Sequence, residues 1–240
     1  MPTKRIYGLI GKNIEYSFSR NYFNNKFNEL KLNENKYENF DLSDITEFKK
    51  IDLSKIIGFN VTIPYKQDII AHIDEVSDDA LKIGAVNTIK IINKKLIGFN
   101  TDHIGFSKSL KGKKFKKALI FGSGGASKAI QFSLNKLDIK YKVVSRRKNI
   151  DLIGYNNLDQ EIKISDLIIN TTPLGTYPRV NNKIDIPYHL INKNHHCYDL
   201  IYNPIKSSFL NECEIQGASI KNGLEMLEFQ AEESWNIWNS

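Results

Sequence analysis

An α/β fold is what this 240-residue sequence predicts. Three observations carry the prediction. Strand-like and helix-like stretches alternate along the N-terminal part of the chain. A strand, a glycine-rich turn, a helix and a second strand then follow one another from Ala118 to Ser145, a βαβ unit that calls for a parallel sheet. The composition, 41% hydrophobic and 25% charged, is that of a globular chain with enough apolar surface for one large core or two modest ones.

Each element has its own signature. Arg5–Ile10 is apolar after its first residue and stops at Gly11, as a strand does. Ser19–Leu30 carries Tyr22, Phe23, Phe27 and Leu30 at helical spacing, with Ser19 as its N-cap. Lys36–Phe40 reads as a short strand, and Ile56–Ile63 as a strand halted by Pro64. Tyr65–Ile73 and Ser77–Lys82 read as helices. Val86–Ile92 and Lys95–Phe99 form a hairpin about Asn93 and Lys94. Beyond the basic stretch Lys111–Lys117, read as a solvated strand start, come the strand Ala118–Phe121, the helix Ser127–Leu137 and the strand Lys140–Ser145. Leu167–Asn170 and His196–Leu200 are further strands. Leu224–Trp238 is a long amphipathic helix with Met226, Leu227, Ala231, Trp235 and Trp238 directed to a core.

Composition excludes several classes. With 14 Gly and 6 Pro the chain is not collagen-like, and no apolar run approaches the ~20 residues that span a bilayer. The N-terminus lacks an apolar segment of the signal-peptide kind, so a cytoplasmic protein is expected. The net charge of +7 comes from 29 Lys and only 5 Arg spread along the chain, which argues against a nucleic-acid face and is compatible with an anionic ligand. Cys197 and Cys213 have no metal-binding or redox spacing, and no metal is expected.

The turn Gly122-Ser123-Gly124-Gly125-Ala126-Ser127 sits between a strand and a helix. Gly122 permits the tight turn, Gly124 lets backbone approach a pyrophosphate, and Gly125 and Ala126 leave room at a helix start whose free N–H groups favour an anion. Where an NAD-binding unit places an acid after the second strand, this chain has Ser145, Arg146 and Arg147. Arginine suits a 2′-phosphate, so the reading is NADP. Elsewhere, Ser17 and Ser19 can offer two hydroxyls to one carboxylate. Lys66 follows a strand stopped by Pro64, and Asn87, Thr88, Asn100, Thr101 and Asp102 gather polar groups at strand ends.

Taken in order, these segments resemble the shikimate dehydrogenase family over almost the whole chain. The matching motifs are NVTxPxK at Asn60–Lys66, AVNT at Ala85–Thr88, NTD at Asn100–Asp102 and GSGGAS at Gly122–Ser127. To these are added INTTPLG at Ile169–Gly175, YDLIYNP at Tyr198–Pro204 and NGLEMLEFQA at Asn222–Ala231. The resemblance implies two domains, a substrate-binding α/β domain (1–101 plus 223–240) and a Rossmann-type NADP-binding domain (102–222), with the active site in the cleft between them. It implies reversible NADPH-dependent reduction of 3-dehydroshikimate to shikimate, in aromatic amino acid (chorismate) biosynthesis. Lys66 is then the acid/base and Asp102 its partner. Ser17, Ser19 and Tyr202 would hold the carboxylate, and Thr62, Asn87 and Gln230 would read ring hydroxyls. Leu200 and Gly223 would meet the nicotinamide through backbone, beside the glycine turn. A monomer or homodimer is expected, with no nucleic-acid or membrane partner. A quinate/shikimate dehydrogenase using NAD, or an inactive ligand-binding relative, are the alternatives.

The chain departs from the family pattern at Tyr16, Arg20, His103, Arg147 and Glu225. His103 is expected in an exposed loop. The stretch Lys148–Asp166 is short, which predicts a trimmed adenosine side.

Overall fold

The computed structural model describes residues 4–15, 17–145, 152–154 and 158–240. The chain divides into two compact units, one of residues 1–101 with 231–240, the other of residues 102–230.

The first unit is built on a mixed six-stranded sheet. Its strands are β1 (Arg5–Gly11), β2 (Asn35–Asp41), β3 (Ile56–Val61), β4 (Glu75–Val76), β5 (Thr88–Ile92) and β6 (Lys95–Phe99), in the order β2-β1-β3-β5-β6-β4. β1 pairs in parallel with β2 and β3, whereas β5 runs antiparallel to β3 and β6. The β5–β6 hairpin closes on Asn93 and Lys94, whose φ values of 50° and 68° are those of the tight turn that matches strand twist. Helix α1 (Phe18–Glu29) connects β1 to β2, and α2 (Asp78–Ile83) precedes β5.

Side-chain alternation on β1 splits the core. Tyr7 and Leu9 face a cluster with Phe23, Phe27, Tyr37 and Trp238, while Ile10 joins Phe59, Val61, Ile69 and Ile89 on the other face. Trp238 anchors the first cluster. It lies 5.0 Å from the Tyr7 ring and donates its indole N–H to the Ile89 carbonyl at 3.0 Å. Gly58 makes this approach possible, because a Cβ there would sit 2.3 Å from the indole nitrogen.

The second unit holds a six-stranded sheet that is parallel throughout. In chain order it comprises α3 (Asp102–Ser109), β7 (Lys117–Phe121), α4 (Gly125–Lys136), β8 (Lys140–Val144), β9 (Leu152–Ile153), α5 (Leu158–Ile164), β10 (Leu167–Asn170), β11 (His196–Asp199), α6 (Ser208–Ile215), β12 (Ser219–Lys221) and α7 (Leu224–Asn239), the last of which continues into the first unit. The strand order is β12-β11-β10-β7-β8-β9. From β7 the chain steps outward to β8 and β9, then returns to the other side for β10, β11 and β12. The reversal lies between β7 and β10, and in open sheets of this kind ligands bind beyond the strand C-termini at that reversal. The central strands are buried on both faces, which is why Ala118–Phe121 and Leu167–Ile169 read as continuous apolar runs.

The basic stretch before β7 is largely exposed, as a solvated strand start should be, with only Phe115 and Lys117 half-buried. Lys117 and Lys142 both bind the Glu161 carboxylate, at 3.0 and 2.6 Å, and Asp166 accepts from the Lys116 and Lys117 backbone N–H groups. Burial acts to raise the Glu161 carboxyl, but the hydrogen bonds from Lys142 and Lys117 prevail and hold it below its ordinary value.

The structure differs from the sequence reading at one expected helix and adds elements the reading did not include. Tyr65–Ile73 is not an α-helix. Only Asp68–His72 forms a 3-10 turn, because the Lys66 carbonyl is taken by the Val86 N–H and the Tyr65 hydroxyl is tied to the Leu42 carbonyl. The helices α3 and α6 and the short strands β4 and β12 carry no strong periodic signal and were not anticipated. Among the described residues between β9 and β10 stands one helix of seven residues, α5, in keeping with the short adenosine side that was expected. No described helix is long and apolar enough to cross a membrane.

Candidate active site

In the first unit, β3 delivers the chain through the cis Ile63–Pro64 peptide to Lys66. The turn is closed by the Tyr65 N–H on the Thr62 carbonyl (2.9 Å), and Thr62 donates its own N–H to Ile10 (2.8 Å). Lys66 is half-buried, and its carbonyl accepts from Val86 at 2.7 Å, one residue before the AVNT asparagine is reached. Ser17 rather than Ser19 caps α1, for its hydroxyl accepts the Ser19 N–H at 3.2 Å. Ser19 instead lies in the first turn and opposes, through a hydrogen bond, the burial that pushes the Tyr37 phenol well above its ordinary value.

Asn87 is 2% exposed and clamps two strands together. Its Oδ1 accepts the Thr101 N–H at 2.6 Å and its Nδ2 donates to Thr101 Oγ1 at 2.9 Å. Thr101 immediately precedes Asp102, so Asn87 fixes the backbone from which Asp102 departs. Behind this pair lies a buried polar cluster. Asn60 donates to Ser234 Oγ (2.9 Å) and accepts from the Tyr37 hydroxyl (2.8 Å), and Thr88 shares a 2.8 Å hydrogen bond with Ser234. A cluster satisfied to this degree holds its members in one arrangement. Ser234 went unnoticed in the sequence, although it follows Gln230 by one helical turn on α7.

In the second unit, Asp102 is the first residue of α3 and is 5% exposed. His103 is not in an exposed loop. It is 6% exposed inside α3, with its ring edge-on to Phe132 at 5.0 Å, because α3 packs on α4. The Gln230 side chain donates to the Leu227 carbonyl at 2.9 Å.

The glycine turn occupies the sheet's reversal point. Gly122 has φ of 111°, a conformation that L side chains rarely adopt, and a Cβ there would lie 2.5 Å from Thr171 Oγ1 at the end of β10. Gly124 caps α4 without a side-chain hydrogen bond, and a Cβ at Gly124 would meet open space. The first turn of α4, which begins with Gly125 and Ala126, has no acidic residue. Backbone N–H groups at this helix start are therefore offered without a competing side chain, the arrangement that suits a phosphate. Ser123 and Ser145 share a 3.0 Å hydrogen bond that joins the ends of β7 and β8. Arg146 and Arg147, like Tyr16, lie outside the described residues.

Two further loops end at the same edge of the sheet. Leu200 and Gly223 meet directly, since a Cβ on Gly223 would fall 2.1 Å from the Leu200 carbonyl oxygen. The Gly223 N–H donates to the Ile201 carbonyl at 3.0 Å. Tyr202, two residues after Leu200, is half-buried. Asp199, which the sequence reading passed over, is fully buried at the base of this segment.

Comparison with known proteins agrees with this geometry. A family model described as the shikimate dehydrogenase substrate binding domain matches residues 9–89. The NADP-dependent shikimate dehydrogenase of Methanococcus maripaludis is 40% identical over 98% of this chain and 91% of its own length. The chain belongs to the shikimate dehydrogenase family. Its structure is similar to the crystal structure of shikimate dehydrogenase from Aquifex aeolicus, with a TM-score of 0.89 and 34% identity, covering 100% of this chain and 94% of that one. It is also similar to the Thermus thermophilus enzyme solved with NADP(H) and shikimate (TM-score 0.87, 28% identity, covering 98% and 93%). Among shikimate dehydrogenases, then, this chain has the mixed sheet followed by the parallel one, and its glycine turn stands at the reversal point.

Proposed function

We propose that this chain catalyses the reversible NADPH-dependent reduction of 3-dehydroshikimate to shikimate, as a cytoplasmic step toward aromatic amino acids. One observation carries the reading. An open glycine turn without a side-chain cap stands at the sheet's reversal point of a chain that carries the Lys66 and Asp102 motifs and matches an NADP-dependent shikimate dehydrogenase over nearly its full length.

The residues present fit the dinucleotide. Gly122, Ser123, Gly124, Gly125 and Ala126 would hold the pyrophosphate through backbone and hydroxyl, with space at Gly124 for close approach. Ser145, Arg146 and Arg147 would take the adenosine phosphate, and Leu200 and Gly223 the nicotinamide end. Bound NADPH supplies a hydride to the carbonyl carbon.

The chain's own residues manage the proton. As the carbonyl π electrons move to oxygen, Lys66 donates a proton from Nζ to the developing alkoxide, which becomes the hydroxyl. In the reverse direction the neutral amine of Lys66 takes that proton back. Asp102 takes the role of the lysine's partner that the family resemblance implies. Ser17, Ser19 and Tyr202 hold the substrate carboxylate. Thr62, Asn87 and Gln230 read ring hydroxyls, and an analogue lacking one leaves a buried partner unpaired.

Lys66→Ala tests the assignment. Turnover should fall by about 10²–10⁴, the size of a lost proton-transfer group, while the dissociation constant for shikimate changes little. Equal losses in turnover and binding would reduce Lys66 to a holding role.

A further inference from the structure

Among the described residues, Asp199 at the end of β11 is a buried carboxylate at the C-terminal edge of the parallel sheet that the mechanism does not use. Its Oδ1 accepts from Asn170 Nδ2 and from the Ile201 N–H, both at 3.0 Å, and its Oδ2 accepts from the Ser207 hydroxyl. Each of these bonds reaches a different part of the edge. Asn170 in turn accepts from the Thr172 N–H at 3.0 Å and the Thr172 hydroxyl at 2.7 Å, which fixes the loop after β10. Ile201 lies between Leu200 and Tyr202. Ser207 caps α6 by accepting the Leu210 N–H.

The segment 200–202 is therefore held from two sides. The Asp199 carboxylate takes the Ile201 N–H, and Gly223 takes the Ile201 carbonyl while lying against the Leu200 backbone. The Leu200 N–H also donates to the Asn170 carbonyl at 3.0 Å. Burial pushes the Asp199 carboxyl up to about 6, with the hydrogen bonds from Ser207, Ile201 and Asn170 opposing it. Among the described residues, the group's hydrogen-bond partners are all neutral dipoles.

We propose that Asp199 is a positioning residue for the reaction: its carboxylate ties the loop after β10, the Leu200–Tyr202 segment and the cap of α6 into one arrangement, and so sets where Leu200 and Tyr202 meet their ligands. This rests on the functional reading above, in which Leu200 and Tyr202 serve the nicotinamide and the substrate carboxylate. Asp199 is fully buried, so its influence passes through its hydrogen-bond partners. It acts through the backbone at Ile201 and through Asn170.

Steady-state kinetics of Asp199→Ala and Asp199→Asn, with shikimate and NADP varied in turn, provide the test. Loss of all three bonds in Asp199→Ala lets the segment drift, and misplacement on the ångström scale should raise the KM for shikimate about tenfold or more. Asp199→Asn keeps an acceptor for Asn170 and Ile201 and offers an N–H to the Ser207 oxygen, so its KM should stay within about threefold of wild type. Three results would overturn the proposal. One is an unchanged KM in Asp199→Ala. Another is a fall in apparent kcat alone, in step with a reduced folded fraction by circular dichroism. The last is Asp199→Asn being as impaired as Asp199→Ala, which would make the charge itself the active feature. Should Asp199→Ala fail to fold, Asn170→Ala decides on the same criterion, because it severs the Thr172 side of the tie. A wild-type protein without turnover would bring down the functional reading and this inference with it, whereas an active wild type with unaffected variants would sink this inference alone.

Discussion

Gly122→Ala is the substitution whose consequences the structure determines most fully. A non-glycine residue held at φ of 111° carries strain of about 1–3 kcal/mol. Its Cβ would also lie 2.5 Å from Thr171 Oγ1, so the threonine must rotate away. Rotation breaks the 2.8 Å hydrogen bond from that hydroxyl to the Phe121 carbonyl, worth about 1 kcal/mol. Alanine recovers about 0.4–1 kcal/mol by restricting the unfolded chain. The net cost is about 1–4 kcal/mol, which for a chain of this size lowers Tm by roughly 2–14 °C. The assay is thermal denaturation by far-UV circular dichroism, paired with NADP titration by nucleotide fluorescence. Gly124→Ala is the internal control. A Cβ there meets nothing within 4 Å, so stability should hold while NADP affinity falls through lost backbone approach. A Gly122→Ala protein as stable as wild type, or a Gly124→Ala protein equally destabilised, would refute the steric argument.

Three further outcomes are expected. The folded Asp199 carboxyl titrates at about 6 against an ordinary 3.8, so the native state binds more protons between those values and stability falls as pH rises through that window. The penalty at neutral pH is about 3 kcal/mol; Asp199→Asn should flatten this slope relative to wild type in urea denaturation at a series of pH values, and parallel pH profiles would contradict it. Glu161→Gln leaves Lys117 and Lys142 without their shared carboxylate and should cost about 1–2 kcal/mol, the exposure of Lys142 screening part of the loss. An identical urea midpoint in low and high salt would count against that ion triad. Arg146→Ala should weaken NADP binding by tenfold or so and leave NAD nearly unchanged, since a guanidinium recognises the 2′-phosphate; equal weakening of both nucleotides in parallel titrations would argue for a structural role.

Much of the architecture was legible because its signals are local. The β7–α4–β8 unit announced itself through a buried apolar strand, a glycine turn and a helical period, all within one stretch of sequence. The hairpin at Asn93 and Lys94 was equally plain. The helix expected at Tyr65–Ile73 did not form, for its carbonyl and hydroxyl partners, Val86 and Leu42, lie far along the chain. Such tertiary competition leaves no periodic trace. His103 was misplaced for a related reason: an isolated histidine after a turn motif looks solvent-facing until α3 is seen to pack on α4. Asp199 and Ser234 were invisible as site residues because their roles depend on hydrogen-bond partners from separate strands and helices. Motif residues such as Lys66, Asn87 and Asp102 stood out because several short patterns occur together in one order.

Initial rates of nicotinamide reduction by the purified protein test the central claim most directly, with shikimate and quinate each offered alongside NADP and NAD. Turnover should be fast with shikimate and NADP, and slow with quinate or with NAD. Comparable rates with quinate or NAD would contradict the assigned specificity, and shikimate binding without turnover would contradict the roles given to Lys66 and Asp102.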